Sequence, residues 1–132
     1  GVYKPGNVKL TPVILKNSQE YIQKKLDTKA LPVHFVFHGG SGSSPEEIKE
    51  AISYGVIKMN IDTDLQWAFW KGIKEFYSEN QGFLQAQIGN TNSDSEPNKK
   101  FYDPRKWLRE GETSFKARLK QCFEDLNNVG RN

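Results

Sequence analysis

Several features that would indicate a secreted, membrane or self-contained metal protein are scarce in this sequence. Cys122 is the only cysteine, which excludes an internal disulfide and agrees with a reducing compartment. No run approaches the ~20 consecutive apolar residues of a membrane span, and no charged-then-apolar segment suggests a signal peptide. The two histidines and the cysteine form no cluster with the spacing of a zinc site. We therefore expect a soluble, cytoplasmic protein.

The excess of positive over negative charge is small as well. The 132 residues carry a formal net charge of only +3, and the lysines are scattered along the chain, so no nucleic-acid surface is indicated. The sequence does contain enough apolar material for a core, because 36% of its residues are hydrophobic and 12% are aromatic. We expect a folded segment that binds neither nucleic acid nor a membrane.

Apolar periodicity predicts alternating helices and strands up to Asn80. A first helix is predicted from about residue 12 to residue 28, with the Thr11 hydroxyl as its cap and Pro12 in its first turn. A strand buried on both faces is predicted over the run LPVHFVF, and a second strand over the run VIKMNI. Helices are predicted after each strand. This order is typical of βα units, in which the C-terminal ends of parallel strands share one face.

The helix between the two strands has the clearest boundaries. Ser44 and Glu47 have the spacing of a capping box, with a proline between them at the first helical position. Gly55 suits the position just after the helix. The predicted buried positions are Ile48, Ala51 and Ile52.

The C-terminal part of the sequence is different in character. Residues 89–107 are polar and rich in turn-forming residues, and they predict a long loop or arm. A terminal amphipathic helix is predicted after this arm, with Glu112, Thr113 and Ser114 as its caps. Its apolar positions are Phe115, Leu119, Cys122, Phe123 and Leu126. We expect Cys122 to lie in the core rather than to act as a nucleophile.

The loop GGSGSS, residues 39–44, follows the first predicted strand. Glycines let the backbone approach a ligand closely, and successive N–H groups before a helix form a concavity that suits an anion. The loop lacks the Gly-Lys-Ser/Thr ending of a Walker loop and the glycine spacing of a Rossmann fold. Taken alone, these residues fit a phosphate-binding loop or a flexible turn equally well.

Polar side chains follow both predicted strands. His38 ends the first strand, and Asn60 and Asp62 end the second with Ile61 between them, so both polar residues face one side. Active sites of βα barrels lie at this end of the strands. Asp62 or Asp64 could instead cap the following helix, which leaves the other for a ligand, and His38 could be structural. His34 lies deeper in the strand, and we interpret it as structural.

Four motifs together resemble one family. The stretches GVYKPGNVKLTP, FVFHGGSGS, GVIKMNIDTD and PNKKFYDPR occur in this order in class II, metal-dependent fructose-bisphosphate aldolases, and the chain is similar to their C-terminal part. The resemblance implies an α/β fold, the C-terminal part of a (β/α)8 TIM barrel with a C-terminal helical extension. It implies that residues 1–82 are the last βα units and that residues 83–132 are an arm and helix of the same domain.

The resemblance also implies an activity and a set of site residues. The activity is reversible, zinc-dependent cleavage of fructose 1,6-bisphosphate to dihydroxyacetone phosphate and glyceraldehyde 3-phosphate, in glycolysis and gluconeogenesis. By the same resemblance His38 is a ligand of the one catalytic Zn²⁺ ion per subunit. An activating monovalent cation, Na⁺ or K⁺, is assigned to Gly1, Gly39 and Ser41. The residues assigned to substrate or phosphate are Gly1, Lys4, Gly39, Ser41, Asn60, Asp62, Thr63 and Arg105.

The family pattern implies partners that this chain does not supply. Arg105 is expected to reach the active site of the partner subunit in a homodimer. Two further zinc histidines, the catalytic aspartate and a proton-abstracting glutamate are expected upstream of Gly1, so we expect the isolated segment to be inactive. A tagatose-bisphosphate aldolase and a non-catalytic phosphosugar-binding fragment are the alternatives. The PNKKFYDPRKW arm favours the fructose-bisphosphate enzyme over the tagatose-bisphosphate enzyme.

Overall fold

A computed structural model describes residues 10–131, which form two compact units. Within the described range, the first unit comprises residues 10–64 and 121–131, and the second comprises residues 65–120. The predicted division at residue 82 stays a prediction. The elements are α1 (Val13–Leu26), β1 (Phe35–Phe37), α2 (Pro45–Ser53), β2 (Val56–Met59), α3 (Thr63–Glu79), a 3-10 turn (Gln81–Phe83), α4 (Lys99–Tyr102) and α5 (Pro104–Asp125).

The first unit contains a two-stranded parallel sheet, as the βα order predicts. β1 pairs with β2, and Phe35 lies opposite Val56 while Phe37 lies opposite Met59. Beyond the strands the pairing continues, because the Asn60 N–H donates to the Phe37 carbonyl at 2.9 Å. The C-terminal ends of both strands therefore lie side by side, and the two loops that follow them share one edge of the sheet.

The helix that joins the strands begins as the sequence predicts. The Glu47 N–H donates to the Ser44 hydroxyl at 3.2 Å, and the Ser44 N–H donates to the Glu47 carboxylate at 3.1 Å. Ile48 and Ala51 are 3% and 0% exposed and Ile52 is half-buried, so two of the three predicted apolar positions are fully buried. Gly55 has a φ of +98°, a conformation that glycine adopts without strain. The capping box and the glycine stop are both confirmed.

Two other predictions for the first unit are wrong. β1 is not buried on both faces, because Val36 is 48% exposed. A strand is buried on both faces only where other elements cover both sides of its sheet. Thr11 does not cap α1 either. The cap position is Pro12, without a side-chain hydrogen bond, and the helix runs over Val13–Leu26 rather than to residue 28. The burial of Cys122, at 2% exposure, is confirmed.

In the second unit α3 and α5 pack closely at two glycines. A methyl group added at Gly72 would lie 2.8 Å from the Glu110 carbonyl carbon and 2.9 Å from the Ser114 Cβ atom. A methyl group added at Gly111 would lie 2.9 Å from the ring of Phe69. These separations are shorter than van der Waals contact, so the two helices approach each other more closely than larger side chains would allow.

The prediction for the arm and the terminal helix needs correction. The stretch 89–107 is not one long loop, because α4 occupies Lys99–Tyr102 and α5 begins at Pro104. Residues 112–114, which the sequence suggested as caps, lie inside α5. Asp103 and Pro104 form the start instead, since the Asp103 carboxylate accepts from the Arg105 N–H at 3.0 Å. The sequence did not predict this helix start, because its first turns contain few apolar residues and include Gly111.

Candidate functional site

The candidate site of the first unit is built on the ends of β1 and β2. The main chain of Asn60 is held from both sides, because its N–H donates to Phe37 and its carbonyl accepts from the Gly40 N–H at 2.9 Å. The residue that follows β2 is therefore fixed against the loop that follows β1. This arrangement brings the side chain of Asn60 to His38, 22 residues earlier in the chain.

The imidazole of His38 and the amide of Asn60 are in direct contact. His38 Nδ1 lies 2.9 Å from Asn60 Nδ2, and His38 is exposed. An amide nitrogen that donates to Nδ1 leaves the proton on Nε2, whereas an amide oxygen turned toward Nδ1 would accept its proton and free the Nε2 lone pair. Only the second orientation suits a metal at Nε2. Each orientation of the Asn60 amide therefore matches one tautomer of His38.

The Gly/Ser loop between β1 and α2 has the backbone that a tight anion-binding turn requires. Gly39 and Gly42 have φ values of +73° and +84°, in the left-handed region. The Ser41 side chain is buried, at 5% exposure, and its hydroxyl accepts weakly from the Asp64 N–H at 3.4 Å. The buried Ser43 hydroxyl oxygen has no hydrogen-bond partner within residues 10–131. The loop therefore keeps one buried hydroxyl, that of Ser43, whose hydrogen-bonding capacity is unused within the described residues.

Asp64 closes the other side of this loop. Its carboxylate accepts from the Gly42 N–H at 3.4 Å, a long and weak hydrogen bond. Asp64 lies in the first turn of α3, where a negative charge is favourable. An anion that bound at the Gly42 N–H would have to displace this carboxylate. The sequence suggested Asp64 as a helix cap or a ligand-binding residue, and its contact with the loop was not predicted.

The remaining site residues from the sequence fall in different places. Asp62 is exposed in the loop after β2, and Thr63 is the first residue of α3. Both lie on the same strand-to-helix connection as Asn60. Gly1 and Lys4 lie outside the described residues. Arg105 belongs to the second unit.

Arg105 lies in the first turn of α5 and is held by Asp103. Its Nε atom donates to the two carboxylate oxygens at 3.0 and 3.2 Å, while the side chain is 87% exposed. Hydrogen bonding to the guanidinium lowers the pKa of Asp103 to about 2, and the carboxylate raises the pKa of Arg105 in return. The guanidinium is thus oriented and still open to solvent. The Asp103-Pro104 dipeptide is the sequence signal that could have identified Asp103 as the cap of α5, and the sequence predictions did not use it.

The described residues do not form a metal centre by themselves. Within residues 10–131 no group of three or more histidine, cysteine, aspartate or glutamate side chains is placed to hold a metal ion. A catalytic zinc ion needs about three protein ligands, and this site offers the single imidazole of His38. The chain fits a zinc site as a contributor of one ligand, and further ligands would have to come from elsewhere. No helix within the described range is long and apolar enough to cross a membrane.

Comparison with known proteins identifies the family to which these residues belong. Residues 1–131 match the family model described as fructose-bisphosphate aldolase class-II. The chain belongs to the class II fructose-bisphosphate aldolase family. The resemblance that the four sequence motifs indicate is therefore confirmed.

Relatives in this family are similar over nearly the whole chain. A fructose-bisphosphate aldolase of Haemophilus influenzae is 63% identical over 129 residues, and a class 2 enzyme of Escherichia coli K12 is 57% identical over 129 residues. Each alignment covers 98% of this chain and 36% of the relative. The chain thus spans about a third of the length of these aldolases, and it corresponds to their C-terminal part.

A solved aldolase structure has the same fold. The crystal structure of a fructose-bisphosphate aldolase from Campylobacter jejuni superposes with a TM-score of 0.89 at 59% sequence identity. The match covers 100% of this chain and 38% of that one. The predicted fold class, the C-terminal part of a TIM barrel with a helical extension, is confirmed.

Proposed function

We propose that the protein containing this chain is a class II fructose-bisphosphate aldolase. It reversibly cleaves fructose 1,6-bisphosphate to dihydroxyacetone phosphate and glyceraldehyde 3-phosphate, as a cytoplasmic enzyme of glycolysis and gluconeogenesis. Identity of 57% and 63% to named aldolases supports this proposal. The observation that carries it is the 2.9 Å contact between His38 and Asn60, because it joins the residues that two separate family motifs assign to metal and substrate.

In this proposal His38 is one ligand of a catalytic Zn²⁺ ion. The other ligands and the acid and base groups come from outside the described residues. Its exposed imidazole at the end of a barrel strand is placed to meet such groups. With its amide oxygen turned toward Nδ1, Asn60 orients that imidazole, as partners of metal-bound histidines commonly do. Asn60 is also one of the proposed substrate-binding residues, so its amide contacts both His38 and the substrate in this proposal.

The two loops at the strand ends hold the dihydroxyacetone phosphate part of the substrate. Gly39 and Ser41 bind its phosphate and the monovalent cation, Na⁺ or K⁺, together with Gly1; Lys4 contributes to the phosphate site. The left-handed glycines and the buried Ser41 hydroxyl support this role. Asn60, Asp62 and Thr63 hold the remainder of this group.

Arg105 binds the second phosphate in the active site of the partner subunit of a homodimer. Its side chain is 87% exposed, so the guanidinium is accessible to a ligand outside its own unit. A guanidinium presents several N–H donors in one plane, and Asp103 occupies only part of them. An oriented but accessible guanidinium suits a phosphate on another subunit.

The test compares two histidine variants of the full-length protein. His38→Ala removes the proposed ligand, and His34→Ala is the matched control, because His34 is also exposed and lies four residues earlier. We expect His38→Ala to lose bound zinc and cleavage activity, and His34→Ala to keep both. Zinc content is measured by elemental analysis, and cleavage by coupled detection of the triose phosphates. Wild-type zinc content and turnover in His38→Ala would refute the ligand role.

A further inference from the structure

Asn98 is fully buried in a stretch of the second unit that is otherwise polar and open. Its side chain is 0% exposed, whereas the residues on either side of it are exposed. Its amide nitrogen donates to the carbonyls of Ala86 and Gly89, each at 2.8 Å, and its amide oxygen accepts from the Asn90 amide at 2.9 Å. One side chain thus satisfies two main-chain carbonyls and one neighbouring side chain.

These contacts close the loop formed by residues 86–98. The Asn98 N–H donates to the Gln87 carbonyl at 2.8 Å, which adds a main-chain bond to those of the side chain. Inside the loop the Gly89 N–H donates to the Glu96 carbonyl at 2.9 Å. Buried polar groups left unpaired destabilise the folded state, so the conformation of the loop depends on the Asn98 amide.

The same residue begins the segment that carries Arg105. The Asn98 carbonyl accepts from the Phe101 N–H at 2.8 Å, which starts α4, and the Asp103 N–H at the end of α4 donates to the Lys99 carbonyl at 3.0 Å. Phe101 also stacks on Phe83 with ring centroids 4.2 Å apart. Overlapping main-chain hydrogen bonds therefore span the segment from Asn98 to Asp103, whose carboxylate holds the guanidinium.

We propose that Asn98 is a positioning residue that sets the location of Arg105 for phosphate binding. This inference rests on the proposed role of Arg105 in the partner's site. Asn98 does not touch substrate in this proposal. It acts through α4 and Asp103, because both depend on the closed loop for their starting point. A purely structural asparagine would affect stability alone, whereas a positioning residue affects substrate binding only while Arg105 is present.

The test is a double-mutant cycle in the full-length protein, with Asn98→Ala, Arg105→Ala and the double variant. The readout is kcat/KM for fructose 1,6-bisphosphate. We expect Arg105→Ala to lower kcat/KM by about 100-fold, since it removes charge-assisted hydrogen bonds, and Asn98→Ala by about 10-fold. If Asn98 acts through Arg105, the double variant matches Arg105→Ala within about twofold.

Two further variants keep the test independent of folding. Asn80→Ala is the matched control, because it also removes an asparagine bond to a main-chain carbonyl in the second unit, at 2.9 Å from Phe76, but outside the loop. It should lower the melting temperature and leave kcat/KM unchanged. Asn90→Ala removes the donor to the Asn98 oxygen and, inside the same loop, the acceptor for the Asn92 and Ser93 N–H groups, and it replaces Asn98→Ala if that variant does not fold. We expect it to lower kcat/KM about threefold, again only when Arg105 is present.

The outcomes separate this inference from the function on which it rests. An Arg105→Ala variant with wild-type kcat/KM would overturn the role of Arg105 and the positioning role together. Loss of activity in Arg105→Ala would support that role, and the inference for Asn98 would still fail in two cases. One is a folded Asn98→Ala variant with wild-type kcat/KM. The other is an equal further loss when Asn98→Ala is added to Arg105→Ala.

Discussion

Replacing Gly72 with alanine should destabilise the protein, although alanine is the better helix former. In an exposed helix this change stabilises by about 1 kcal/mol. At Gly72 the new methyl group would lie 2.8 Å from the Glu110 carbonyl carbon and 2.9 Å from the Ser114 Cβ atom. Carbon atoms pack at about 3.5–4.0 Å, so α5 would have to move by roughly 1 Å.

The sign of the effect follows from which atoms must move. The obstructing group at Gly72 is main chain of α5, which cannot rotate away as a side chain can. Overpacking costs about 1–3 kcal/mol, and a main-chain obstacle belongs at the upper end of that range. After the gain in helix propensity, we expect a net loss of about 1–2 kcal/mol in the free energy of unfolding. This corresponds to a decrease of a few degrees in melting temperature.

Gly111→Ala provides the comparison within the same pair of helices. The obstacle there is the ring of Phe69, at 2.9 Å from the added methyl group, and a ring can shift more easily than a main chain. We therefore expect a smaller loss than at Gly72. Thermal melts and urea unfolding of the full-length variants measure both effects. A Gly72→Ala variant more stable than wild type by about 1 kcal/mol would refute the close approach of α3 and α5.

Three further predictions concern the helix starts and the site. Ser44→Ala should lower the free energy of unfolding by about 1 kcal/mol through loss of the capping box, and an unchanged urea midpoint would contradict this. Asp62→Ala should raise KM and lower kcat together, whereas a loss of thermal stability alone would support a helix-cap role. Asp103, with its pKa lowered from 3.8 to about 2 by Arg105, contributes stability that is present above pH 3.8 and lost as pH falls through 2. In an NMR titration its carboxyl should shift near pH 2, and near pH 4 in Arg105→Ala; the same midpoint in both proteins would contradict the pairing.

The helix starts illustrate how far local patterns reach. Ser44-Pro45 and Asp103-Pro104 use the same chemistry, a side-chain acceptor followed by proline in the first turn. The first start was predicted because a buried stripe, Ile48 and Ala51, follows it. The second was missed because its first turns are mostly polar. A cap motif alone identifies a helix poorly when no apolar period accompanies it.

The sequence by itself determined the features that depend on neighbours within a few residues: the capping box, the glycine stop and the order of strands and helices. It also determined the family, because four motifs occur in register over the whole chain. Only the tertiary structure decided that Asn60 meets His38 across two strand ends, that Val36 stays exposed, and that Asn98 is buried in a polar stretch. These features depend on which surfaces pack against each other, and contacts between residues distant in the chain leave no periodic pattern in the sequence.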